Sequence, residues 1–252
     1  MKIAAIIPSR YGSTRFSGKP LALIANKPMI QMVFENVRQS KRMTDVVVAT
    51  DDQRICDVIK NIGGEVIMTS SENRTGTDRV AEAALKMGLG LDDIVVNVQG
   101  DQPLIDYRCL DDLVEALVND TDMSNDVSTL ACKIVNKDEL TSPDDSKVVF
   151  DSMGFALYFS RAAIPHSRDH SVQYDAFKHI GVYAYSRRFL EKFRTLPEGK
   201  LERLEKLELL RALEYGQKIK VVLTEYDSPE VDWPEDVKRI ENILSRRLDE
   251  VN

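Results

Sequence analysis

Within the first hundred residues, four short apolar runs at 3–7, 46–49, 66–68 and 94–98 alternate with helix-like segments. The helical stretches are 28–40, a segment capped by Asp51 that ends near Gly63-Gly64, and 78–87. Runs this short, rich in Val and Ile and separated by helices, predict a mostly parallel sheet covered on both faces. Sheets of this kind bind ligands beyond the carboxyl ends of their strands. Function is therefore expected in the loops 8–20, 50–52, 69–77 and 99–106.

The second half is less regular. Strands are predicted at 127–134, 179–185 and 219–223, and a hairpin at 147–150 and 155–160 around Ser152-Met153-Gly154. Residues 201–215 read as one strong helix closed by Gly216, and Pro234 opens a terminal helix. No internal repeat, low-complexity tract or linker interrupts the chain. The expected organisation is one α/β domain over 1–252 with an inserted β-rich subdomain at approximately 150–190.

Bulk properties narrow the function. The 34 basic and 41 acidic side chains give a net charge of −7, the opposite of the basic excess of a general nucleic-acid binder. No apolar stretch approaches the roughly 20 residues of a spanning helix, and the N-terminus opens into a strand-like run rather than a signal peptide. Cys56, Cys109 and Cys132 are scattered and odd in number, which suits a reducing cytoplasm. The three histidines, His166, His170 and His179, form no H-E-x-x-H motif, so a zinc enzyme is not expected.

The loop after the first strand reads P-S-R-Y-G-S-T-R-F-S-G-K-P over 8–20. Gly12 and Gly18 allow close backbone approach to a ligand. Free backbone N–H groups make an anion-binding concavity, and Arg10, Arg15 and Lys19 add positive charge. A plain cationic surface loop has the same composition; the interleaving of cations with glycines favours a polyphosphate cradle. It is not a Walker A loop, because five residues rather than four separate Gly12 from Gly18 and Pro20 follows Lys19. No G-x-G-x-x-G fingerprint follows a strand.

Two acidic residues could serve such a loop. Asp101 follows Gly100 at the end of the fourth strand, where it can hold Mg²⁺ against phosphates or merely begin a turn before Pro103. Asp232, in V-D-W-P-E-D, is either a second magnesium ligand or the cap of the helix opened by Pro234. Residues 69–79 enter a helix through hydroxyls and Gly76, which suits a nucleotide at a helix N-terminus or a simple cap.

Taken in order, S-R-Y-G-S-T-R-F-S-G-K-P-L, T-G-T-D-R, N-V-Q-G-D-Q-P, S-K-V-V, A-L-Y-F-S-R-A-A-I-P, K-H-I-G-V-Y-A-Y and V-D-W-P-E-D resemble the CMP-Kdo synthetases, the 3-deoxy-manno-octulosonate cytidylyltransferases. The likeness spans essentially the whole chain. It implies a nucleotidyltransferase-like (Rossmann-like) α/β fold with a smaller dimerisation subdomain, hence a homodimer. The implied reaction joins CTP to an eight-carbon 3-deoxy-2-ulosonic acid and releases pyrophosphate. By the same resemblance Arg10, Ser13, Arg15 and Lys19 meet the phosphates, and Thr75, Gly76, Thr77, Arg79 and Gln99 hold the cytidine. Asp101 and Asp232 hold Mg²⁺, and Lys19, Arg15, Asp101 and Asp232 form the catalytic set. Arg161, His179, Tyr183, Glu205 and Glu208 line the sugar pocket. Arg161 suits bidentate capture of a carboxylate. On a single helix, Glu205 and Glu208 would share a face at i, i+3. His179 reads equally as a structural residue of its strand.

The chain departs from the family pattern at Ser17 (usually Pro), Asn73 (usually His), Leu209 (usually Gln) and Trp233 (usually Thr). Leu209 and Trp233 replace polar groups by bulkier apolar ones, which raises the possibility of a variant sugar such as the 8-amino analogue of Kdo. Sialic, pseudaminic or legionaminic acid is a further alternative substrate, and a nucleotide- or sugar-binding regulator is the non-enzyme alternative.

Overall fold

Strand β1 (Ile3–Ser9) pairs in parallel with β4 (Asp45–Thr50) on one side and β6 (Ile94–Asn97) on the other, and β4 continues to β5 (Glu65–Met68). This computed structural model describes residues 1–12, 15–120, 125, 127–169 and 171–251. The chain forms two compact units, Met1–Asp111 with Ser228–Asn252, and Asp112–Asp227.

In the first unit, Ala4, Ala5, Ile6 and Ile7 of β1 and Val47, Val48 and Ala49 of β4 are fully buried. Unbroken burial along a strand requires cover on both faces. Helices α1 (Met29–Val37), α2 (Gln53–Asn61) and α3 (Gly76–Lys86) supply it with Ile30, Val33, Phe34, Ile55, Ile59, Val80 and Ala83. Each large apolar side chain removed from water contributes about 1.5–3 kcal/mol. A 3-10 turn (Lys19–Leu21) and a short hairpin, β2 (Leu23–Ile24) with β3 (Lys27–Pro28), link β1 to α1. The parallel sheet and its order of helices match the expectation from the apolar runs. The cap of α2 falls one residue later than expected. Asp52 accepts the Arg54 N–H at 2.9 Å, while Asp51 turns to Arg79. Helix α4 (Tyr107–Val118) leads the chain into the second unit, and α9 (Pro234–Val251) completes the first.

In the second unit, β7 (Val127–Lys133) runs antiparallel to β10 (Phe177–Ser186) and parallel to β11 (Ile219–Thr224). After α5 (Lys137–Thr141), β8 (Lys147–Phe150) and β9 (Ala156–Ser160) form the expected hairpin, with Gly154 at φ 80° in its turn, and β8 also pairs with β10. The β-rich stretch anticipated at 150–190 lies within this unit. Helix α6 (Arg187–Thr195) buries Phe189, Leu190 and Phe193 behind a Ser186 cap.

The single helix expected over 201–215 is two short ones, α7 (Lys200–Glu205) and α8 (Leu209–Glu214), separated at Lys206, which adopts φ 55°. Mutual capping stabilises the break. The Glu214 carboxylate accepts the N–H groups of Lys200 at 2.9 Å and Leu201 at 3.1 Å, at the positive end of α7. Glu202 of α7 takes both Nε and Nη2 of Arg211 from α8. A Cβ on Gly199 would overlap the Glu214 carboxylate, so glycine is needed there for that approach. Glu205 and Glu208 therefore do not share one helical face. Leu209 is 6% exposed and belongs to the core.

Candidate active site

The carboxyl ends of β1 and β6, the loop that follows β1 and the N-terminus of α3 enclose a cleft of about 230 Å³. Its walls carry Arg10, Arg15 and Lys19 from the first loop, Asn73, Arg74, Thr75, Gly76 and Arg79 around the start of α3, and Gln99, Gly100 and Asp101 after β6. Eight of the residues expected to bind or act on a nucleotide thus meet in one cavity: Arg10, Arg15, Lys19, Thr75, Gly76, Arg79, Gln99 and Asp101. Ser13 lies outside the described residues, and Thr77 is buried in the first turn of α3.

At one side of the cleft, four charges interlock. Lys19 Nζ donates to Asp101 Oδ2 at 2.7 Å and to Asp232 Oδ1 at 3.3 Å, and Arg15 Nη1 donates to Asp232 Oδ2 at 2.8 Å. A main-chain bond from Val231 N–H to the Asp101 carbonyl, 2.9 Å, seats the distant segment against β6. Burial opposes charge on Lys19, but the Asp101 carboxylate, followed by Asp232, overcomes it and holds its pKa above the ordinary value. The capping alternative for Asp232 is not realised. Asp236 Oδ2 accepts the N–H groups of Asp232 and Trp233, both at 2.9 Å, which leaves the Asp232 carboxylate to the cations. Trp233 is half-exposed, with the Arg15 guanidinium 6.0 Å from its ring centroid.

Asp101 and Asp232 offer hard oxygen donors, the chemistry a magnesium ion requires. Among the described residues no group of three or more His, Cys, Asp or Glu side chains could hold a metal ion. The two aspartates fit a cation that takes its remaining ligands from substrate oxygens and water. Ser9 Oγ, in the cleft wall, is buried without a protein partner among the described residues, so a water or a polar group of a ligand would satisfy it.

Helix α3 begins at Thr75, whose hydroxyl accepts the Asp78 N–H at 3.1 Å. The N-terminus of the helix opens on the cleft through Thr75 and Gly76, a position that suits an anionic ligand. Gln99 Nε2 donates to Asn97 Oδ1 at 3.1 Å, and Gln99 Oε1 lies close to Gly76. Arg79 is only 3% exposed; its guanidinium binds Thr69 Oγ1 and Asp51 Oδ2. It braces the segments that follow β4 and β5 while lining the cleft.

The five residues expected at the sugar belong to the second unit. Glu205 accepts Ser160 Oγ at 2.7 Å, Tyr158 Oη at 3.3 Å and the Arg161 N–H at 2.9 Å. Arg161 Nε donates to the Glu205 carbonyl at 2.8 Å and Nη1 to the Pro143 carbonyl at 2.7 Å. His179 has both ring nitrogens engaged, Nε2 with Thr129 Oγ1 at 2.9 Å and Nδ1 with Ser146 Oγ at 3.3 Å, between the rings of Phe159 and Tyr183. Glu208 faces Arg211 at 3.7 Å. The sequence reading missed three groups here. Arg74 sits in the cleft wall. The Glu230 carboxyl accepts Gln102 Nε2 at 3.2 Å and has its pKa raised by desolvation and then by the charges of Asp101 and Asp232. Lys147 is fully buried, with Nζ donating to the Ser142, Asp145 and Arg161 carbonyls. Two of them carried a signal: Arg74 lies in the loop 69–79 already expected at the ligand, and Lys147 opens an apolar strand.

Enclosure of the His179 ring pushes its pKa down to about 3 from 6.5. The unfolded chain takes up a proton below 6.5 and the folded chain does not. The contribution is therefore fully present above that pH and is lost as pH falls toward 3. His179→Gln should show a shallower fall in Tm than the parent between pH 7.5 and 4.5. Parallel curves would mean that the ring titrates freely in the fold.

The family model for cytidylyltransferases matches residues 4–219. A 3-deoxy-manno-octulosonate cytidylyltransferase of Desulfosudis oleivorans is 57% identical over 97% of this chain and 98% of its own length. An 8-amino-3,8-dideoxy-manno-octulosonate cytidylyltransferase of Shewanella amazonensis is 52% identical over 97% of this chain and 99% of its own. The solved structure of a CMP:2-keto-3-deoxy-manno-octonic acid synthetase complexed with CTP superimposes with a TM-score of 0.90 at 37% identity, covering 98% of this chain and all of that one. The resemblance read from the motifs and the mostly parallel nucleotidyltransferase-like fold are both upheld, and the chain belongs to the cytidylyltransferase family.

Proposed function

We propose that the protein transfers the cytidylyl group of CTP to the anomeric hydroxyl of 3-deoxy-manno-octulosonate (Kdo), forming CMP-Kdo and pyrophosphate for lipopolysaccharide biosynthesis. The observation that carries this reading is the Lys19–Asp101–Asp232–Arg15 cluster at the strand ends. Two cations stand beside two carboxylates in it, which supports a site for phosphates and a divalent cation. In the reaction the anomeric hydroxyl gives its proton to solvent water as its oxygen forms a bond to the α-phosphorus, in line with the departing pyrophosphate, which leaves with the electrons of the cleaved P–O bond. Such chemistry rests on positioning and charge stabilisation. Lys19, Arg15 and Arg10 meet the phosphates, and the start of α3 with Gln99 receives the cytidine. Asp101 and Asp232 would hold Mg²⁺, which supplies charge neutralisation on the transferring and leaving phosphates.

Arg161, Tyr183, Glu205, Glu208 and His179 remain the proposed sugar-acid residues. Since Nε and Nη1 of Arg161 are spent on carbonyls, Nη2 is the part left for a substrate carboxylate. The three cysteines are buried and form no disulfide, in keeping with a cytoplasmic enzyme. No described helix is long and apolar enough to cross a membrane. Met153, Leu157 and Leu223 of the second unit are exposed, which suits a homodimer contact.

The 8-amino analogue is the second reading, because relatives so named are 50–52% identical. Burial of Leu209 removes one of the two substitutions that pointed to it. Pyrophosphate release from each NTP with Kdo, 8-amino-Kdo and nonulosonic acids decides among these. Release is expected with CTP and Kdo at the highest kcat/KM. A higher value for the amino sugar would select the second reading, and no release with any acid would leave only a binding role.

A further inference from the structure

Arg54 does not line the cleft, and neither does Tyr11, yet the two are in close cation–ring contact. The Arg54 guanidinium carbon lies 3.3 Å from the Tyr11 ring centroid. We propose that Arg54 is a positioning residue for CTP binding: it anchors the phosphate loop to helix α2 through the ring of Tyr11. The inference rests on the reading of this loop as the triphosphate cradle.

The connection is continuous. Asp52 caps α2 and grips Arg54 bidentately, Nε to Oδ1 at 2.9 Å and Nη2 to Oδ2 at 2.6 Å. This fork fixes the guanidinium plane, which a lysine ammonium would not allow. The guanidinium carbon sits over the Tyr11 ring. The phenol also lies against Gly18, where any Cβ would stand 3.0 Å from Tyr11 Oη. Gly18 has φ 72° and donates its N–H to the Tyr11 carbonyl at 3.1 Å, so the two ends of the loop close on each other. Only glycine meets both the left-handed backbone and the ring at this point. The next residue is Lys19, whose ammonium joins Asp101 to Asp232. Helix α2 thus reaches the catalytic cluster through Asp52, Arg54, Tyr11 and Gly18, without entering the cavity. The Asp52 carboxylate is held below the usual range chiefly by the bond from Arg54, so the fork keeps its charge through neutral pH.

The test separates anchoring from long-range attraction. Arg54→Met removes the charge and the stack, whereas Tyr11→Ala keeps the charge of Arg54 and removes its seat. CTP affinity by calorimetry and the KM values for both substrates are measured with melting temperatures. Anchoring predicts that each variant binds CTP about five- to tenfold more weakly, with the KM for the sugar acid unchanged. The double variant should be no worse than Tyr11→Ala alone, and Arg54→Lys should recover part of the loss. Normal CTP binding by Tyr11→Ala, additive losses in the double variant, or equal rises in both KM values with a lowered Tm would each overturn the proposal. Failure of the unmutated protein to bind CTP would instead remove the nucleotide reading, and this inference with it.

Discussion

Asp101→Asn is expected to lower kcat for pyrophosphate release by about a thousandfold or more while leaving the fold intact. The substitution keeps shape and hydrogen-bonding capacity but removes the charge that a divalent cation needs. Asp101 has no substitute nearby. Asp232 arrives from the far end of the chain and already balances Arg15 and Lys19, and Glu230 is directed to Gln102. The backbone at 101 is held independently by the bond from Val231, so the geometry should survive the change. Metal binding is read by titration with Mg²⁺ or Mn²⁺ in the presence of CTP, and should weaken along with turnover. Retention of more than a tenth of the activity would show that Asp101 only begins a turn.

The core of the first unit and its cleft were legible because they rest on local signals. Short β-branched runs specify buried parallel strands, and the parallel topology alone places loops 8–20, 69–77 and 99–106 at one end. The long-range element, Asp232 against Asp101, came only from family resemblance, since no pattern in V-D-W-P-E-D tells a ligand from a cap. Glu230 was invisible for the same reason: its surroundings are made by Gln102 and two aspartates distant in sequence. The second unit was harder. Residues 201–215 have helical spacing throughout, and no glycine or proline marks the break at Lys206. The break is enforced by tertiary bonds from Glu214 and between Glu202 and Arg211. Propensity is a weak prior that such contacts override. The error carried through to function, because the two glutamates assigned to one helix face take different partners. Glu205 serves Ser160, Tyr158 and Arg161, while Glu208 faces Arg211.

Lys19→Met should depress turnover about a hundred- to a thousandfold, yet its effect on metal binding should have the opposite sign to that of Asp101→Asn. Lys19 is the cation held between the two aspartates, at 2.7 and 3.3 Å, and its raised pKa keeps it charged across the working range. Its removal leaves Asp101 and Asp232 facing one another with Arg15 alone in compensation. A divalent cation then replaces lost positive charge instead of competing with it, so the protein without nucleotide should bind Mn²⁺ more tightly than the parent. CTP affinity should fall, because the ammonium that meets the phosphates is gone. Tighter metal binding, weaker CTP and collapsed turnover in one variant is a combination that general unfolding cannot produce, since unfolding weakens all three. If metal affinity instead drops with turnover, Lys19 supports the fold of the loop rather than the charge balance of the site.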